Sequence, residues 1–295
     1  MTFPYAQNFL VAIGLAVLVA STALAGDDKD REGGLTGTGI VGEVTALGSI
    51  IVNDQRITFA PNMTVANRVA PKTAGALVPG DVVAVAVVPG NEGWTAEAIS
   101  QLHPLIGPVS SVADNRFTVL GVDVLWRGTL PKTGDWVAVS GFWARGDVIA
   151  TGVETLAAQA VFSIQGSYRP SEDGKASMVG SVKLNIEPLR NANEGDAITV
   201  SGVLNGDRFS VTDVHLGLFE KPVGLVLAEG YLTDVAPSGH YTVAGSGLSA
   251  YTDNRQTAMT PERIRVCGRN GQMTPPQDRE TGVALDRLGC AISVD

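Results

Sequence analysis

Apolar residues recur at every second position in a series of short segments along this chain, most of them entered through a glycine. Three segments share one frame: Gly80-Asp81-Val82-Val83-Ala84-Val85, Gly134-Asp135-Trp136-Val137-Ala138-Val139-Ser140-Gly141, and Gly195-Asp196-Ala197-Ile198-Thr199-Val200-Ser201-Gly202. A fourth, Pro261-Glu262-Arg263-Ile264-Arg265-Val266-Cys267-Gly268, keeps the alternation and loses the Gly-Asp. A period of two after a turn dipeptide is the pattern of a half-buried strand leaving a tight turn. Each segment is followed, after a short turn, by a second alternating stretch, at 95–102, 148–156, 209–216 and 281–288, which predicts four β-hairpins.

A Gly-led strand precedes each hairpin, at Gly42-Glu43-Val44-Thr45, Gly107-Pro108-Val109-Ser110, Gly166-Ser167-Tyr168 and Gly230-Tyr231-Leu232-Thr233. Between these marks lies a further hairpin, clearest where Ile50-Ile51-Val52-Asn53-Asp54-Gln55-Arg56-Ile57-Thr58-Phe59 aligns with Phe117-Thr118-Val119-Leu120-Gly121-Val122-Asp123-Val124-Leu125-Trp126. Tyr241-Thr242-Val243-Ala244-Gly245-Ser246-Gly247-Leu248 fits the same frame, whereas 171–177 disrupts it in the third repeat. In the first repeat, 60–79 inserts a loop or a single helical turn. About five strands per repeat is the inventory of a small Greek-key barrel of the oligonucleotide/oligosaccharide-binding (OB) type, which closes on itself and so avoids open edges. An SH3-like barrel has a similar inventory, and strand counting does not separate the two. No long segment of period 3.6 argues for helical layers, so the fold is predicted to be all-β, a tandem array of five-stranded barrels. The junctions Leu102-His103-Pro104 and Lys221-Pro222 are short, which predicts a stiff rod of units.

The amino terminus differs from the rest. Residues 10–20 are almost unbroken in apolar character and lead into Ser21, Thr22 and the small-residue triplet Ala23-Leu24-Ala25. This reads as a secretory signal cleaved after Ala25, although no Lys or Arg precedes the apolar run. The alternative is an uncleaved anchor, for which the run is short, since a span needs roughly 20 apolar residues. No cysteine follows the run to carry a lipid. The predicted organisation is a signal at 1–25, a flexible charged leader at 26–35, and barrel units at 36–103, 104–158, 159–220 and 221–295. No stable membrane span remains after cleavage, and the mature chain is expected to be periplasmic or secreted.

Composition narrows the function. With 44% hydrophobic and 17% charged residues the chain has enough apolar surface to build cores. Thirty acidic against 21 basic residues give a net charge of −9, which argues against a nucleic-acid partner, because such affinity comes mainly from Lys and Arg on phosphates.

The frame Gly-x-Val, then Val-x-x-Gly-Val-x-Val, then Gly-Asp-x-Val-x-Val-x-Gly, then an Ala/Thr-rich final strand, resembles tandem copies of a bacterial envelope domain of unknown function, family 5666. Residues 107–156 match that pattern best and 39–102 nearly as well, while the third and fourth copies depart from it. The resemblance implies exported β-barrel modules and transfers no catalytic residue.

Candidate chemistry is sparse. The two cysteines, Cys267 and Cys290, both lie in the last unit. Adjacent strand ends bring Cα atoms into disulfide range, and in an oxidising compartment a bridge is the natural reading. A metal pair or a reactive thiol lacks support, with no CxxC spacing and no nearby histidine. His103, His215 and His240 fall in different units, and the first two, at the ends of final strands, read as linker or surface residues. No nucleophile elbow, phosphate loop or metalloprotease helix is present, so no catalytic, cofactor-binding or metal-binding residue is predicted. The recurring Asp81, Asp135 and Asp196 read as turn formers beside glycine rather than as repeated ligands. Of the tryptophans, Trp126 and Trp136 stand at core positions of the alternation, whereas Trp143 follows a Gly-Phe step at a hairpin end and reads as partly wet. Trp143 and Arg145 are therefore the candidate contact residues. The Arg145-Gly146-Asp147 tripeptide reads as accidental. The function expected is a non-catalytic envelope module that binds or scaffolds a protein or glycan partner. The alternative is a glycan-acting hydrolase with a carboxylate site between repeats.

Overall fold

The computed structural model describes residues 37–46, 48–158, 161–205, 208–256, 259–273, 288 and 290. The predicted signal at 1–25 and leader at 26–35 lie outside the described residues, as does the strand expected at 281–288, apart from Leu288. The fold is all-β. Among the described residues no helix is long and apolar enough to cross a membrane.

Barrel one contains β1 (Thr38–Ala46), β2 (Ile50–Val52), β3 (Gln55–Thr58), β4 (Thr64–Ala66), β5 (Lys72–Thr73), β6 (Val82–Gly90) and β7 (Gly93–Leu102). Its wall runs β1-β2-β3-β7-β6 and returns to β1, with every neighbour antiparallel except the β3–β7 pair. The insertion at 60–79 supplies β4 and β5, which extend the sheet beyond β7, and a 3-10 turn at Ala74–Ala76. Barrel two repeats the ring with β8 (Leu105–Ala113), β9 (Arg116–Val119), β10 (Val122–Leu125), β11 (Trp136–Ala144) and β12 (Asp147–Leu156), again closed by one parallel pair, β10–β12. A Greek-key ring closed by its third and fifth strands in parallel is the OB order, which settles the choice that strand counting left open. Inward side chains fill each barrel, Ile40, Ile50, Val85 and Trp94 in the first and Val109, Phe117, Val124 and Val148 in the second.

The third unit holds β13 (Phe162–Pro170), β14 (Ser177–Val179), β15 (Val182–Leu184), β16 (Ala197–Asn205) and β17 (Arg208–Leu216). Its middle hairpin, β14–β15, does form; the irregular 171–176 segment is a turn ahead of it, held by Ser171. No pairing joins β15 to β17 among the described residues, so this unit is open at that seam. The fourth unit holds β18 (Leu225–Gly230), β19 (His240–Val243), β20 (Leu248–Tyr251), β21 (Ile264–Arg269) and β22 (Gln272–Met273). It follows the same ring order more loosely: a single residue pair joins β20 to β22, and one bridge, Leu232 with Val243, completes the circuit.

The Gly-Asp steps do the same job in three units. Gly80, Gly134 and Gly195 have φ of 95°, 92° and 95°, a region that costs any residue with a Cβ. The following aspartates each accept a backbone N–H three residues earlier, from Val78 to Asp81 at 3.0 Å, Lys132 to Asp135 at 2.8 Å and Asn193 to Asp196 at 2.7 Å. The recurrence is thus turn chemistry, and these carboxylates are engaged by their own loops.

The units do not form a rod. The first strand of barrel one pairs in parallel with the first strand of the fourth unit, Thr38 opposite Leu225 through Val41 opposite Ala228. The first strand of barrel two pairs antiparallel with that of the third unit, Leu105 opposite Ile164. Two composite sheets result, one joining units one and four and one joining units two and three. The physical reason is visible in β6, where all of Val82–Val87 is buried. Val83, Val85 and Val87 fill the barrel, while Val82 and Ala84 face outward into a second core with Leu102, Phe142, Ala197, Val226 and Leu248 from all four units. An outward apolar face of that kind is stable only when another unit covers it. Polar contacts fix the packing: Thr151 Oγ1 donates to the Gly80 carbonyl at 2.6 Å, and the Arg263 guanidinium meets Glu43 at 2.7 Å and Glu229 at 3.1 Å while lying 5.0 Å from the Phe142 ring centroid.

Cys267 on β21 and Cys290 form a disulfide with a Cα–Cα distance of 6.0 Å and 23 residues of separation. The bridge holds the chain end so that Leu288, 2% exposed, enters the core of barrel one. A bond of this kind fits a non-cytoplasmic compartment.

Candidate functional site

The β11–β12 hairpin of barrel two ends in a two-residue turn, Arg145-Gly146, with φ of 51° and 92°. Positive φ at both central residues is the type I′ geometry that matches strand twist, so the Arg-Gly-Asp tripeptide is here a hairpin turn. That turn projects between the third and fourth units, where a cleft of about 420 Å³ opens. Arg145 from barrel two, Arg169 and Glu194 from the third unit, and Asp234 from the fourth all line it. None of these four side chains has an ion-pair partner among the described residues. Tyr241 and His240 complete one wall, and the His240 Nδ1 atom is buried without a hydrogen-bond partner among the described residues.

The structure brings the two sequence candidates, Trp143 and Arg145, to this same cleft, and it separates their roles. Arg145 is exposed, as expected. Trp143 is only 4% exposed, which corrects the reading of a partly wet ring. Its indole Nε1 donates to the Gln165 carbonyl at 2.6 Å, and its ring lies so close to Gly180 that a Cβ there would fall 2.6 Å from it. The hairpin end that would be open in a lone barrel is covered by a neighbouring unit, so Trp143 anchors the junction at the wall of the cleft. Trp126 is half-buried and packs against the barrel-two core, with its Nε1 donating to the Thr129 carbonyl. Trp136 is half-buried on the wall, less enclosed than its place in the alternation suggests.

The histidines also part company. His215 is exposed, in line with a surface reading. His103 is not a surface residue: it is 6% exposed, enclosed where barrels one and two and the third unit meet. Burial lowers its pKa from 6.5 to about 4; nearby Asp81 opposes that shift and Lys72 adds to it. Arg68, His215 and Glu220 line the same cavity. The signal was the run Leu102-His103-Pro104-Leu105-Ile106, a junction with no charge to keep it in water. Because the unfolded chain binds the proton more readily, stability is complete above pH 6.5 and declines as pH falls toward 4, by on the order of 3 kcal/mol. Urea unfolding of the wild type and of His103→Asn across that window is expected to give a flatter pH dependence for the variant; parallel curves would contradict it.

No curated protein and no solved structure matches this chain. The profile of a family described as a domain of unknown function (DUF5666) matches residues 38–100 and 106–154, the extents of the two closed barrels. The two adjacent matches are consistent with tandem copies of that domain in barrels one and two.

Proposed function

We propose that this protein is an exported, non-catalytic cell-envelope module that holds a protein or glycan partner, periplasmic or secreted, with the Arg145 cleft as its contact site. The supporting observation is that three units converge on one cleft and leave Arg145, Arg169, Glu194 and Asp234 there without ion-pair partners among the described residues. Unpaired charges of both signs favour a partner of complementary pattern, and they set specificity more than raw affinity. The net charge of −9 makes a nucleic acid a poor candidate for that partner.

The test is affinity capture of envelope components on the mature chain beside an Arg145→Ala/Arg169→Ala variant. Both arginines are exposed, so the variant is expected to keep its fold by circular dichroism while losing the captured component. Recovery of background alone, together with hydrolysis of a glycan panel by purified protein, would overturn the proposal. That second outcome belongs to a glycan hydrolase, a reading favoured by the presence of two carboxylates, Glu194 and Asp234, in one cleft. If it is correct, Glu194→Gln and Asp234→Asn each abolish turnover.

A further inference from the structure

A second cleft, of about 320 Å³, lies where barrels one and two meet the third unit. Its walls carry an unusual share of buried polar side chains: Gln101 at 7%, His103 at 6%, Ser163 at 4%, Gln165 at 4% and Thr199 at 8% exposure. Buried polar groups are costly unless hydrogen-bonded, so each calls for a partner. Some have one. Gln101 donates to Asp81 at 2.8 Å and accepts from Lys72 and Asn67, and Ser163 accepts from Ser201. Gln165 donates through Nε2 to the Gly245 carbonyl at 2.9 Å.

The His103 ring, the Thr199 hydroxyl and the Gln165 side-chain carbonyl remain: they line the cleft and make no side-chain hydrogen bond of their own there among the described residues. Together they offer a neutral imidazole that donates at one nitrogen and accepts at the other, a hydroxyl that does both, and an acceptor. The Arg and Lys side chains near the cleft are already engaged, Arg68 with Ser201 and Asp213 and Lys72 with Asp81, and the wall also carries the Glu220 carboxylate, so the cleft is poorly suited to an anion. Leu102, Ile106 and Leu218, all buried, give the same cleft an apolar side. One face of C–H groups beside an edge of donor-acceptor hydroxyls is the surface of a sugar ring. The volume sits at the small end of ligand sites, roughly 300 Å³, which suits one or two rings.

We infer that this cleft binds a neutral mono- or disaccharide unit, with His103, Thr199 and Gln165 holding its hydroxyls and Leu102, Ile106 and Leu218 packing on its C–H face. The site is separate from the Arg145 cleft and does not depend on what occupies it. The test is saturation-transfer NMR on the full mature chain with glucose, N-acetylglucosamine, maltose and chitobiose, and with inorganic phosphate as the charged probe. At least one neutral sugar is expected to receive saturation and to shift the His103 ring resonances in the wild type. Thr199→Val keeps the side-chain shape while removing the hydroxyl, and is expected to weaken that binding about tenfold with an unchanged circular dichroism spectrum. The inference is overturned if no sugar at millimolar concentration moves the His103 resonances, if phosphate alone does, or if Thr199→Val binds as the wild type does.

Discussion

Trp143→Ala is expected to lower the unfolding free energy by about 3–5 kcal/mol, the usual range for emptying a large buried aromatic site. The ring belongs to barrel two, yet its hydrogen bond goes to Gln165 and its closest glycine neighbours, Gly166 and Gly180, are in the third unit. The loss therefore falls on the junction: truncation leaves a void there and strands the Gln165 carbonyl without its donor. Against a total stability of about 5–15 kcal/mol for a typical domain, a change of that size is large. Gly180→Ala tests the same contact from the other side, because its φ is 57° and its added methyl would press on the indole. Arg145→Ala, two residues from Trp143 but exposed, is expected to change stability by less than about 0.5 kcal/mol. Denaturant unfolding followed by circular dichroism reads all three. A Trp143→Ala midpoint indistinguishable from that of Arg145→Ala would mean that the ring is wet and the units are not packed as described.

The second large effect concerns the disulfide. Reducing the protein, or replacing Cys267 and Cys290 with serine, is expected to destabilise it by about 3 kcal/mol in the chain-entropy account for a loop of this length. A further loss comes from Leu288, which the bridge keeps in barrel one. Unfolding with and without reductant measures it. A midpoint that does not move on reduction would show that the chain end is held by other contacts.

The parts of the fold that depend on neighbours in sequence were legible. The Gly-Asp turns follow from positive φ and a side chain that closes on its own loop, and the hairpins that leave them follow from period-two alternation. Two closed barrels in tandem could be anticipated because the strands of each lie within one short stretch. What depended on distant residues was not. Nothing local in Thr38–Val41 announces Leu225–Ala228 as a partner, since the pairing is a matter of which outward faces are apolar. The unbroken run Val82–Val87 carried that information, as a half-buried strand would have alternated and this one did not. The same blindness made Trp143 look wet and His103 look superficial. Each sits at the end of a local element, and each is buried by a different unit folding over it. Of the candidate site, Arg145 was visible as an exposed charge at a turn; Arg169, Glu194 and Asp234 were not, because only the packing of the units brings them to one cleft.

Small-angle X-ray scattering of the chain from residue 35 onward tests the return of the last unit onto the first most directly. Folded back through the β1–β18 and β8–β13 pairings, the units should give a radius of gyration of about 18 Å, the value for a compact body of this length. A clearly larger radius with an elongated distance distribution, as for four barrels in line, would contradict the shared sheets, and with them both clefts.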